Sequence, residues 1–215
     1  MKGQASRYLI PARPHRAEEV ILKSRFITAL AHAPTAEAAQ DFLARIREEY
    51  PDATHHCWAY VAGPPGDTAS IGMSDDGEPH GTAGRPMLTA LLHSGVGEIV
   101  AVCTRYYGGT KLGTGGLSRA YSGGVNLALE SLPTEEKVER AILRVGVDYE
   151  SVDPLRRLLE ELEAVVEEEA YGESVRYRVA APKEALGALI DRIAGMTRGK
   201  AIVEVLEGEK EGRGR

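Results

Sequence analysis

The sequence predicts an α+β fold in two domains, residues 1–132 and 133–207, with a loose, charged tail at 208–215. Three observations carry this. Short apolar or alternating runs bounded by Gly, Pro, Asn and Asp alternate with segments whose apolar residues fall at helical spacing. Near Pro133 the charge balance changes, from 12 Lys and Arg against 13 Asp and Glu before it to 14 against 19 after it. Finally, the second part contains a near-repeat, a strand, a proline-marked helix and a strand, occurring twice.

Taken in order, Glu18–Leu22 and Arg25–His32 predict an extended pair. Thr35 then suits the cap of a helix carrying Ala39, Phe42, Leu43 and Ile46, and Tyr50-Pro51-Asp52 ends it. His56–Val61 predicts a strand, Gly63-Pro64-Pro65-Gly66 a loop, and Ser70–Ser74 a second strand before an Asp76-Gly77 turn. Leu88, Leu91 and Leu92 after Pro86 fit a helix. Ile99–Cys103 is a continuous apolar run, as in a strand covered on both faces. Leu117, Ala120, Tyr121, Leu127 and Ala128 suggest a further helix, weakened by Gly123 and Gly124. In the second domain Ala141–Tyr149, Val165–Ala170, Val175–Ala180 and Ala201–Leu206 predict strands. Pro154 and Pro182 are expected to open the two helices between them. That order is βαββαβ, the ferredoxin-like arrangement.

Composition excludes several classes. With 43% hydrophobic and 27% charged residues the chain is an ordinary globular protein rather than a disordered one. It has no apolar run long enough to span a membrane, and MKGQASRYLIPARPHR lacks the apolar centre of a signal peptide, so a soluble, cytoplasmic protein is expected. Cys57 and Cys103 have neither a CxxC nor a zinc-ligand spacing and are expected to be reduced. A net charge of −6 argues against coating nucleic acid by bulk attraction. Locally the balance differs: between Glu98 and Glu130 there is no acid, while Arg105, Lys111 and Arg119 are present.

Two segments carry the chemistry. In the first, Asp75, Asp76 and Glu78 precede Gly81-Thr82-Ala83-Gly84-Arg85-Pro86, a glycine-rich approach to a helix whose free amides and positive dipole end favour an anion. Arg85 adds a fork suited to phosphate. The three carboxylates fit a hairpin turn equally well, or a Mg²⁺ site supporting phosphoryl chemistry. In the second, Arg105, Tyr106, Tyr107, Gly108, Gly109, Lys111, Gly113, Gly115, Gly116 and Arg119 run from a strand into a helix. Close backbone approach and three cations again suit phosphate, and the tyrosines offer stacking surfaces for bases. There is no GxxxxGK[ST], no GxSxG and no HExxH, so nucleotide P-loop, serine hydrolase and zinc protease readings lack support.

At these two segments the chain resembles the IMPACT/YigZ family, bacterial two-domain type. The matching residues are Asp76-Gly77-Glu78-Pro79, Gly81-Thr82-Ala83-Gly84-x-Pro86, Gly97-x-Ile99-Val100, Arg105-Tyr106-Tyr107-Gly108-Gly109-x-x-Leu112-Gly113 and Gly116-Leu117. The resemblance covers about residues 17–130 and, by pattern, the acidic second domain. It implies a first domain with the fold of a small-subunit ribosomal protein's second domain, as in elongation factor G domain IV, and an appended domain similar to that factor's domain V. It also implies an association with translation. The function expected is therefore non-enzymatic binding of RNA or the ribosome without a cofactor. The alternatives are a Mg²⁺-dependent hydrolase or transferase acting on phosphates, and a protein adaptor working through the acidic domain.

Overall fold

A computed structural model describes residues 6–206, so the tail expected at 208–215 lies outside the described residues. The chain forms two compact units, Met1–Lys137 and Val138–Arg215.

In the first unit the sheet order is β2-β3-β6-β4-β5, with every neighbouring pair antiparallel. The strands are β2 (His15–Ile21), β3 (Ser24–His32), β4 (His55–Val61), β5 (Ile71–Ser74) and β6 (Ile99–Tyr106). β6 is central because nearly every residue in it is apolar and both its faces are buried. Its alternate residues serve two cores. Ile99, Ala101 and Cys103 pack with α2 (Gly84–Leu92) and α3 (Gly113–Glu130), whereas Val100 and Val102 pack with Phe42, Leu43 and Ile46 of α1 (Ala36–Glu49). Thr35 caps α1, its Oγ1 accepting from the Ala38 N–H at 3.1 Å.

α3 runs unbroken through Gly123 and Gly124, against the expected weakening. The reason is close packing: a Cβ on Gly124 would stand 2.6 Å from Thr28 Oγ1 of β3. Two short strands that the sequence did not predict, β1 (Arg7–Pro11) and β7 (Thr134–Val138), form a separate two-stranded sheet. The first unit accordingly extends to Lys137, beyond the expected boundary at Pro133.

The second unit follows the order β8 (Arg140–Val147), α4 (Val152–Glu161), β9 (Val165–Tyr171), β10 (Val175–Pro182), α5 (Leu186–Met196), β11 (Ile202–Leu206). Its sheet is antiparallel in the order β11-β8-β10-β9. Leu143, Val145 and Val147 with Val175, Tyr177 and Val179 point to one face, where Leu155, Leu158, Leu159, Leu189 and Ile193 of the two helices cover them. Neither proline sits where the sequence placed it. Pro154 is the third residue of α4, tolerated because first-turn N–H groups have no intrahelical partner, and Pro182 ends β10 ahead of a short 3-10 turn at Lys183–Ala185.

Candidate functional site

The first glycine-rich segment turns inward. Asp75 accepts hydrogen bonds from the backbone N–H groups of Gly81 at 2.7 Å, Ala83 at 3.0 Å and Gly84 at 2.9 Å. An internal carboxylate thus occupies the amide cluster at the start of α2, where the sequence placed an external phosphate. Burial alone would raise the Asp75 pKa, but the three amides, with His80 nearby, hold it below the ordinary carboxylate value. Asp76 has φ +42 and accepts from Arg47 Nη2 at 2.9 Å and from the His56 N–H at 2.6 Å. Glu78 is buried and accepts from Arg105 Nη1 at 2.5 Å and from the Tyr121 hydroxyl at 2.8 Å. The three carboxylates therefore serve three different sets of partners. Among the described residues no group of three or more His, Cys, Asp or Glu could hold a metal ion. This arrangement does not fit a Mg²⁺ site.

Arg105 is the principal correction within the second segment. It is only 4% exposed, with Nη1 on Glu78, Nη2 on Ser24 Oγ at 3.2 Å, and its guanidinium lying over the rings of Phe26 and Tyr107. A guanidinium held in this way is part of the core and does not reach a phosphate. Thr82 is likewise buried, donating to the Pro79 carbonyl. Gly84 and Gly108 are glycines because backbone crowds them: a Cβ would meet Ser74 at 2.9 Å in one case and the Lys23 carbonyl at 2.0 Å in the other. The Tyr106 hydroxyl donates to Asp52 Oδ1 at 2.9 Å, and Arg25 lies over its ring. Cys57 and Cys103, far apart in sequence, face each other across β4 and β6 as buried free thiols. Burial raises both pKa values, that of Cys103 to about 12. Neither is a nucleophile at neutral pH.

The remaining predicted residues face outward. Arg85, Tyr107, Gly109, Lys111, Gly113, Gly115 and Arg119 are exposed, and Gly81 and Gly116 partly so. Among the described residues the side chains of Arg85, Lys111 and Arg119 form no ion pair or hydrogen bond. α3 begins with no side-chain cap and no acid in its first turn, and Arg119 Nη1 lies 3.6 Å from where a Cβ on Gly115 would be. Arg85 and Arg119 meet in a shallow groove of about 530 Å³ between α2 and α3, which Gly81 also lines. Sequence reasoning missed the rest of that groove. Thr89 on α2 and His93 at its C-terminal cap follow Arg85 at intervals of four residues; Ser118, Ser122 and Asn126 repeat that interval on α3. The signal available was a polar stripe at helical spacing opposite the apolar one.

An α+β protein of two antiparallel units, whose first unit holds Asp75, Asp76 and Glu78 on partners within the chain and leaves Arg85, Lys111 and Arg119 unpaired on its surface, is the class so defined. The Impact N-terminal domain matches residues 22–129, and the Domain of unknown function (DUF1949) matches residues 145–200. The chain is 46% identical over 200 residues to the IMPACT family member YigZ of Escherichia coli, covering 93% of this chain and 98% of that one. It is 36% identical over 192 residues to the IMPACT family member YvyE of Bacillus subtilis, covering 89% and 87%. A crystal structure described as that of a hypothetical protein aligns with a TM-score of 0.68 at 46% identity, covering 94% and 98%. This chain belongs to the IMPACT family. No helix among the described residues is long and apolar enough to cross a membrane.

Proposed function

We propose that this protein is a non-enzymatic RNA-binding protein of the cytoplasm, associated with control of translation, that grips phosphates through Arg85, Lys111 and Arg119. The observation that carries the reading is a division of charge. The carboxylates Asp75, Asp76 and Glu78 are spent on internal partners, while two unpaired guanidiniums share the α2–α3 groove and Lys111 stands before the uncapped start of α3. Such a surface attracts a polyanion despite the negative total. The translational association rests on family resemblance, as does the likeness of the first unit to the ribosomal-protein and elongation-factor domain. The strand order of the second unit supports the ferredoxin-like name.

The test is binding of labelled RNA to the full chain across a salt series. Affinity should fall steeply with salt, and Arg85→Ala with Arg119→Ala should lower the slope of log K against log salt by about two. An unchanged slope in the double variant would remove this surface from the reading. One observation favours a second role, as an adaptor: β9, with Glu167, Glu168 and Glu169, is an edge strand exposed at every position. Co-purification of a basic protein through the second unit would support it.

A further inference from the structure

The α2–α3 groove carries more information than its charge. Its walls are two facing rows, Arg85 and Thr89 on one helix with His93 at that helix's C-terminal cap, and Ser118, Ser122 and Asn126 on the other. Each row extends about 12 Å, eight residues at the helical rise. The hydroxyls are already oriented: Thr89 Oγ1 donates to the Arg85 carbonyl at 3.0 Å, and Ser122 Oγ donates to the Ser118 carbonyl at 2.9 Å. Their protons turned back into the helices, both oxygens offer lone pairs to the groove as acceptors. Acceptors beside two guanidiniums suit a ligand that alternates anionic groups with hydroxyl donors. A bare phosphate array supplies no such donor. A ribose–phosphate strand supplies one at every 2′-OH.

The groove also lacks what a single strand needs. It contains no Phe, Tyr or Trp, and its one imidazole, His93, is tied by Nδ1 to the Thr89 carbonyl at 2.8 Å. The exposed Tyr107 lies outside it, with Arg105 covering its ring at 5.4 Å. Splayed bases therefore find no stacking platform, and a flexible strand would have to be ordered without that compensation. A duplex arrives with its backbone already ordered and its bases hidden.

We infer, resting on the RNA-binding reading above, that the α2–α3 groove takes one ribose–phosphate strand of double-stranded RNA, with Arg85 and Arg119 on phosphates and Ser122 and Asn126 on 2′-hydroxyls. Recognition is by backbone and is indifferent to base sequence.

The experiment compares, by fluorescence anisotropy with the full chain, an RNA duplex of about 16 base pairs, the DNA duplex of the same sequence and the single RNA strands. The RNA duplex is expected to bind about tenfold or more tightly than either competitor, and Asn126→Ala with Ser122→Ala to bring the RNA-to-DNA ratio close to one while thermal unfolding stays unchanged. Single strands binding as tightly as the duplex would overturn the inference and leave the RNA-binding proposal standing. So would an RNA-to-DNA ratio that the double variant does not move. Should none of the three bind in a salt-dependent manner, the RNA-binding proposal itself fails.

Discussion

The starts of α2 and α3 resemble each other in sequence and differ in what fills them. Both follow glycine-rich approaches, both lack a side-chain cap from the residue preceding the helix, and neither has an acid in its first turn. At α2 the amides are taken by Asp75, which lies up to nine residues upstream, whereas α3 opens to solvent between Lys111 and Arg119. A glycine-rich helix start thus announces an anion without saying whose. The same contrast extends to the cations: Arg105 is held inside by Glu78, Arg119 is outside and free of carboxylates.

The comparison is broken most severely by removing an inward partner. Arg105→Ala leaves Glu78 buried with the Tyr121 hydroxyl and, at 3.9 Å, His55 Nε2, and Glu78→Gln leaves a buried guanidinium without its counter-charge; each is expected to cost about 3–5 kcal/mol in urea unfolding of the full chain. A loss under about 1 kcal/mol would show that this pair is solvated rather than buried.

Asp75→Ala tests the equivalence of the two helix starts directly. Loss of one acceptor serving three amides should cost about 1–3 kcal/mol. It should also open α2 to an outside anion, so that added phosphate raises the melting temperature of the variant more than that of the unaltered protein. Equal rises in both would mean that the α2 amides never become an anion site.

Glu98, the last acid before the acid-free window, belongs with the inward group. Its carboxylate accepts from the Tyr8 hydroxyl at 3.0 Å, Lys137 Nζ at 2.5 Å and His32 Nε2 at 2.7 Å. Burial works to raise its pKa, but hydrogen bonds from Lys137, His32 and Tyr8 outweigh it and hold the value below the ordinary one. A depressed folded-state pKa contributes stability that is present above the unfolded carboxylate value and lost as pH falls through the folded one. Glu98→Gln should therefore be about 1–2 kcal/mol less stable near neutral pH, with the gap closing below about pH 4. A gap independent of pH would assign the loss to packing.

Much of the fold was legible in the sequence, and the orientation of its charges was not. Thr35 with Phe42, Leu43 and Ile46 marks α1, and the apolar run of β6 marks a strand buried on both faces, because cap and periodicity are local signals. β1 and β7 escaped, one being five residues ending in proline and the other mostly charged; their pairing joins the two ends of the first unit. The inward turn of Asp75, Glu78 and Arg105 escaped because their partners lie 6 to 81 residues away. One clue was present. Ala83 is a poor helix cap, so a helix starting after it needs an acceptor from elsewhere, and three carboxylates, Asp75, Asp76 and Glu78, stand within eight residues before it.

The outward cations should give the smallest stability effect and the clearest functional one. Arg85, Lys111 and Arg119 touch no carboxylate, and their removal leaves no buried group unsatisfied, so each substitution to Ala should change unfolding free energy by no more than about 0.5 kcal/mol. Crowding like charges around one groove even opposes folding slightly, since no acid between Glu98 and Glu130 offsets them. A triple variant that unfolds like the parent while losing salt-dependent RNA binding would separate the binding surface from the buried ion pair beneath it. A triple variant destabilised as strongly as Arg105→Ala would place these side chains in the core network, and the division between inward acids and outward cations would fall with it.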